Sequence, residues 1–280
     1  MKPILIAIGF IVAFTALVST ASVNAFGIPI FSLCVGLALL IQWLAFIPAY
    51  KKQTERYYDL VGSTSFILVT LFALMLADRY DGRSLLLSVL VIIWALRLGS
   101  FLFRRVHQDG GDDRFENIKP NAKRFFLTWT LQGLWVSITA ATAFATISAE
   151  NPVPLTAYDL NAIAIWIIGF TIEVIADRQK RAHRATAGKE QFIHSGLWAY
   201  SRHPNYFGEI LLWIGVALLA VPALEGLAYL TLLSPIFVYL LLTRMSGIPM
   251  LEKKAERKWG EQADYQKYKK RTRLLIPLKR

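Results

Sequence analysis

Cysteine is almost absent from this chain of 280 residues, Cys34 being the single one. That excludes an internal disulfide and leaves no cysteine spacing for a metal site, and no metal is expected. Cys34 lies in an apolar stretch and reads as a lipid-facing or packing residue. Charge is scarce as well: 18% of residues are charged and 55% hydrophobic, with a mean hydropathy of +0.43. A soluble globular domain carries about 25% charged residues, so that class is excluded. Substantial loops on one side of the pattern are missing too. Asn24 and Ala25, Asp78 to Arg83, Glu150 to Ala157 and a turn near Glu225 give nothing that could fold into a receptor domain. There is no internal repeat and no matched pair of glycine-interrupted half-helices, which weakens a transporter reading.

What remains is an all-α, polytopic transmembrane helix bundle of about eight spans, with a range of 7 to 8. The apolar windows run over about 3–23, 26–48, 60–77, 84–103, 125–148, 158–176, 206–224 and 226–243. The first has a cationic start and small residues up to Ala25, like a secretory signal, but is read as a retained span. The 31 Lys and Arg exceed the 19 Asp and Glu by 12, and their positions explain the excess. Six lie between 104 and 124, six between 177 and 205, and twelve from 244 onward. Arg97 lies within a span, and only Arg79 and Arg83 fall on the opposite side, in a loop with Asp78 and Asp81. The positive-inside rule therefore expects both termini and the long loops in the cytoplasm. Basicity reports topology, and no nucleic acid partner is expected. The chain reads as one integral membrane domain: residues 1–58 carry the first two spans and their loop, 59–243 the core, and 244–280 a cytoplasmic tail.

The densest chemistry is in Gly196 to Pro222, GLWAYSRHPNYFGEILLWIGVALLAVP. Arg202, His203, Asn205 and Glu209 stand within eight residues there, and Glu209 has an apolar run on its C-terminal side. A carboxylate at a membrane entrance needs a counter-ion or a polar ligand. Glu173, Asp177, Arg181 and Arg184 are spaced four, four and three, along one helical face. That stripe is either a solvated face or a path for a long ligand with a charged end. Trp94, Arg97, Phe101 and Arg104 form another stripe, with Arg97 either snorkelling to headgroups or facing a polar cavity. Asp59, after Tyr57 and Tyr58, is either a helix-start charge or a proton donor in a membrane pocket. Gln132 is the single amide of the fifth window, and it is either a helix-packing donor or part of a pocket. The tail either lies on anionic lipid as an amphipathic helix or folds back over a cytoplasmic pocket, with Arg244 and Glu252 as ligands.

The run GLWAYSRHPNYFGEILLWIG resembles the steroid 5-alpha-reductase superfamily, supported by DRQKRAHR, TLQGLW, Tyr268 and Leu275-Ile276-Pro277, over about the last two-thirds of the chain. The Asn205 to Glu209 element is its most specific part. The resemblance implies a transmembrane helix bundle that uses NADPH to reduce a carbon–carbon double bond conjugated to a ketone in a lipophilic, steroid-like or isoprenoid substrate. It implies cofactor contacts from Asn205 and Glu209 at the nicotinamide end. Asp177, Arg181, Arg184 and Arg244 would hold ribose and phosphates, and Glu173, Tyr200, Arg202, His203 and Glu252, with Arg104 and Arg105, would complete the cofactor site. Asp59 or Tyr58 would polarise the substrate carbonyl with Arg97 in support, and Trp94, Gln132 and Trp213 would line the substrate cavity.

The chain departs from that family where a second carbonyl donor, a Tyr, is expected, because the position falls near Trp94; the tail has Glu252 in place of a Tyr and no run of histidines. Cofactor binding therefore carries over better than steroid specificity. The implied setting is a bacterial inner membrane with the active site open to the cytoplasm; membrane lipids and a lipophilic small molecule are the expected partners, and a monomer is compatible with the sequence. A second resemblance is to S-adenosylmethionine-dependent membrane methyltransferases of the isoprenylcysteine or phospholipid type, through Arg202-His203-Pro204, Tyr206, Gly208 and Trp213. Against it stand Asn205 with Glu209, and the separation of Glu252 from Glu256, where those enzymes carry adjacent glutamates.

Overall fold

The computed structural model describes residues 2–78, 80–109, 115–188 and 190–278. Arg79, read with Arg83 as an external loop cation, lies outside them. The described chain is built on helices: α1 Lys2–Val18, α2 Ile30–Lys51, α3 Tyr58–Ala77, α4 Gly82–Asp109, α5 Ala122–Thr139, α6 Ala141–Ile147, α7 Ala157–Ala187, α8 Pro204–Ala220, α9 Leu233–Leu240, α10 Ile248–Trp259 and α11 Ala263–Arg271. One small departure from all-α is a hairpin of two-residue strands, Asn24–Ala25 and Ile28–Pro29. Its two-residue turn, Phe26 at φ 54° and Gly27 at φ 75°, has the left-handed backbone such hairpins need.

Among the described residues six helices are long and apolar enough to cross a membrane, or seven if α5 and α6 count as one bent span. The expected figure of about eight is higher because the first apolar helix, Leu5–Ala21, is shorter than a span and the fifth is broken by 56°. No proline causes that bend. Instead Ser234 Oγ donates to the Thr139 carbonyl at 2.5 Å, taking up an acceptor at the break.

The chain forms two compact units, Met1–Leu155 with Leu219–Ser234, and Thr156–Leu218 with Pro235–Arg280. In the first, α2 to α5 pack through polar as well as apolar contacts. Gln42 Nε2 donates to Ser65 Oγ at 2.8 Å, and Trp43 Nε1 to Thr130 Oγ1 at 3.2 Å. Inside an apolar layer such bonds hold helices that have little hydrophobic incentive to pair. Arg83, expected in a loop, instead sits in the first turn of α4, capped by Asp81, whose Oδ1 accepts from Arg83 N at 3.0 Å and Ser84 N at 3.1 Å. Its side chain is fully buried and donates to the carbonyls of Val153 at 3.1 Å, Pro154 at 2.9 Å and Leu219 at 2.5 Å. The planar fork serves three backbone acceptors, two in the segment before α7 and one in the last turn of α8.

In the second unit α7 starts at a capping box, Thr156 N donating to Asp159 Oδ2 at 2.6 Å. At 31 residues it is about 46 Å long, against roughly 30 Å of hydrocarbon, so a polar end projects beyond the apolar layer. Three glycines bring α7 and α8 into backbone contact. A Cβ on Gly169 would lie 2.5 Å from Leu212 N, one on Gly208 2.6 Å from Glu173 N, and one on Gly215 2.8 Å from Trp166 N. This small-residue seam fixes an antiparallel register and sets the level of the polar residues that follow.

Candidate functional site

The polar end of the second unit is assembled from α7, the segment before α8, and the tail. Gly196 at φ 60° bends the segment onto α7, where a Cβ would meet the Gln179 amide at 2.5 Å. Gln179 Oε1 accepts from Leu197 N at 2.9 Å. Buried Trp198 donates Nε1–H to the Ala176 carbonyl at 3.0 Å, and Lys180 Nζ lies 4.7 Å from the centre of its ring. From the tail, the Tyr268 hydroxyl donates to the Trp198 carbonyl at 2.8 Å. Burial pushes the Tyr268 phenol far above its ordinary range, so it remains a donor.

The tail continues this clamp into the motif. Ser201 and Arg273 pair in parallel, Arg202 N donates to the Arg273 carbonyl at 2.9 Å, and Ser201 Oγ donates to the Leu275 carbonyl at 2.7 Å. Ser201 Oγ also accepts from His203 N at 3.1 Å. The backbone on either side of Arg202 is thus fixed by residues some seventy positions later. Phe192 fills the space behind it, against Tyr265 at 5.2 Å and Tyr268 at 5.4 Å between ring centres.

Arg202 and His203 converge on one carboxylate. Arg202 Nη1 pairs with Glu252 Oε2, and His203 Nε2 lies 2.8 Å from Oε1. Burial depresses the His203 pKa below 6.5, the hydrogen bond to Glu252 opposing that shift and the charges of Lys180 and Arg202 adding to it. The imidazole is therefore neutral near pH 7, its Nε2–H donates to the carboxylate, and the ion pair of the cluster is Arg202–Glu252. Tyr206 stacks on the His203 ring at 5.8 Å and 15°, and its own ring edge fills the space a Cβ would need at Gly247. Arg202 Nε is buried and has no acceptor among the described residues.

Along α7, Glu173 and Asp177 are buried while Arg181 and Arg184 are exposed. The seam places Gly208 against Glu173, so Asn205 and Glu209, half-buried and one turn apart, stand at the same end of the helix pair as the two acids. Trp213 is fully buried, Tyr200 is exposed, and Arg244 is exposed in a π-helical turn, Leu241–Met245. Of the residues expected here, Arg202, His203 and Glu252 are in direct contact. Ser201, Gln179 and Trp198 were not anticipated; a serine just ahead of the charged pair is the kind of local capping signal that could have found the first.

The remaining expected residues belong to the first unit. Asp59 Oδ2 accepts from Arg105 Nη2 at 3.3 Å, and the Tyr58 hydroxyl donates to the Thr128 carbonyl at 3.0 Å. Gln132 Nε2 donates to the Tyr58 carbonyl at 2.9 Å and rests on Gly62, where a Cβ would come within 2.0 Å of that nitrogen. Trp94 is fully buried between Phe66 and Trp135, Arg97 lies 5.2 Å from the Phe101 ring centre, and Arg104 is exposed.

Residues 45–272 match the family model described as Protein of unknown function (DUF1295). The chain belongs to the DUF1295 family. The matched stretch contains every candidate site residue named above and ends just before Arg273. An uncharacterized protein of Schizosaccharomyces pombe is 24% identical to this DUF1295 chain over 205 residues. The alignment covers 63% of the chain and 59% of that relative, so the chain spans about three fifths of the relative's length. No solved structure matches.

Proposed function

We propose that this DUF1295 protein is an NADPH-dependent membrane reductase that saturates a carbon–carbon double bond conjugated to a ketone in a lipophilic substrate, steroid-like or isoprenoid. The observation that supports it best is the gradient of polarity along α7. Buried acids, Glu173 and Asp177, come first along α7, and exposed cations, Arg181 and Arg184, lie one to two turns beyond Asp177 toward its C-terminal end. A nicotinamide dinucleotide has the same gradient, an uncharged amide at one end and phosphates toward the other.

The residues present fit such a ligand. Asn205 offers an amide and Glu209 a carboxylate one turn apart, the pair that a carboxamide's donor and acceptor require. Asp177 would accept from ribose hydroxyls. Arg181, Arg184 and Arg202 would hold phosphate oxygens, and the buried Nε–H of Arg202, which has no acceptor among the described residues, keeps donor capacity for that role. Glu252 and the clamp at Ser201 would hold that guanidinium in place. Bound there, NADPH would supply a hydride to the β carbon, with a proton taken up to complete the saturated product. The resemblance assigns polarisation of the substrate carbonyl to protonated Asp59, or to Tyr58 beside it, with Arg97 in support, roles that require Asp59 to leave Arg105 or Tyr58 to leave the Thr128 carbonyl.

The test is ligand-induced stabilisation of the detergent-purified chain by NADPH, NADH and S-adenosylmethionine. A ligand at a hundredfold excess over its Kd adds about 2.7 kcal/mol to the folded state. Stabilisation by NADPH, lost in Glu209→Gln with the helical circular dichroism unchanged, is expected. Stabilisation by S-adenosylmethionine alone would overturn the reading in favour of a membrane methyltransferase.

A further inference from the structure

The segment after α11 does more than clamp the motif. Its pairing with Ser201 and Arg202 fixes Arg273 to Leu275 beside residues that lie two or three positions ahead of Pro204, the start of a helix long and apolar enough to span a membrane. At that level three large apolar side chains face outward, Leu274 at 40%, Ile276 at 47% and Leu278 at 56% exposed. Leu275 and Pro277, between them, are half-buried. Exposed Arg271 and Arg273 adjoin the apolar row, and Tyr200, 40% exposed, immediately precedes the clamped serine.

An outward row of Leu and Ile is disfavoured in water, and arginines in its midst are disfavoured in hydrocarbon. The boundary between the two accepts both, with aromatic rings at the same depth. We propose that Leu274–Leu278 is an interfacial anchor: its alternate apolar side chains enter the bilayer at the headgroup level beside the entrance of α8, and Arg271 and Arg273 meet lipid phosphates. The anchor does not depend on which cofactor the chain binds.

The test uses the full chain in nanodiscs of mixed phosphatidylcholine and phosphatidylglycerol. Leu274→Cys, Ile276→Cys and Leu278→Cys are each labelled with an environment-sensitive fluorophore, and Lys267→Cys, whose native side chain is 77% exposed, serves as the control. Cys34 is fully buried, so the wild-type chain should take up no label. The three anchor positions should show blue-shifted emission and quenching by headgroup-level spin-labelled lipid at least about twofold stronger than the control. Emission and iodide quenching equal to the control would overturn the proposal. So would protection from iodide without lipid quenching, which would mean that protein, such as a second copy, covers the row. Wild-type melting behaviour is required of each variant, and the three positions decide independently.

Discussion

His203 donates its Nε2–H to Glu252 Oε1 at 2.8 Å, joining the entrance of α8 to α10 across 49 positions of sequence. The second oxygen of that carboxylate pairs with Arg202, so one side chain carries both contacts. Glu252→Gln should therefore cost more than loss of an exposed ion pair, roughly 2 kcal/mol, because Arg202 is left partly buried without its counter-ion. Thermal melts of Glu252→Gln, Arg202→Met and the double variant check this. The double variant should recover part of the loss; strict additivity would count against the pairing.

Stability should also fall with acid in a defined window. The folded His203 imidazole has a pKa below the unfolded value of 6.5, because burial outweighs the Glu252 hydrogen bond and Lys180 and Arg202 add like charge. The unfolded chain thus binds the proton first as pH drops. The stabilisation is complete above 6.5 and is lost progressively down to the lower folded value. His203→Gln, which can still donate to Glu252 but does not titrate, should flatten the melting temperature across that window; an unchanged slope would exclude His203 as its source.

Gly208→Ala should separate α7 from α8. Its Cβ would stand 2.6 Å from both Glu173 N and the Gly169 carbonyl, backbone atoms that cannot move aside alone. A loss of roughly 2 kcal/mol or more is expected. Gly36→Ala meets nothing within 4 Å and should be neutral or stabilising by up to about 1 kcal/mol, so the two melts together separate steric from helix-propensity effects.

Arg83→Met should be among the costliest single changes in the first unit, roughly 3 kcal/mol, since it strands the carbonyls of Val153, Pro154 and Leu219. Arg83→Lys should recover only part, because a lysine cannot present the planar fork. Equal melting of Arg83→Lys and wild type would show that charge alone suffices.

Hydropathy made the helices legible, because an apolar window of roughly 17 to 25 residues reads as a span whatever its neighbours do. It could not show the break at Thr139, whose carbonyl is taken up by Ser234, nearly a hundred residues away. Nor could it separate Arg83 from a loop, because a buried arginine and an exposed one look alike until the carbonyls it serves are placed. At the site, local density singled out Arg202, His203 and Asn205 to Glu209. Glu252 was singled out with Arg244, but the structure joins Glu252 to the motif and leaves Arg244 exposed. The tail packs onto residues 198–203 through the Tyr268 hydroxyl and through the backbone carbonyls of Arg273 and Leu275, and those carbonyls have no side-chain signature.

That packing also orders events in time. Chains emerge from their N-terminal end, so α7 and α8 can enter a membrane and meet along their glycine seam well before residues 273–275 exist. Ser201 and Arg202 acquire their backbone partners only when Arg273 and Leu275 have been synthesised. The Ser201 and Arg202 backbone contacts beside the Arg202 to Glu252 cluster can therefore close only after α7 and α8 are already complete.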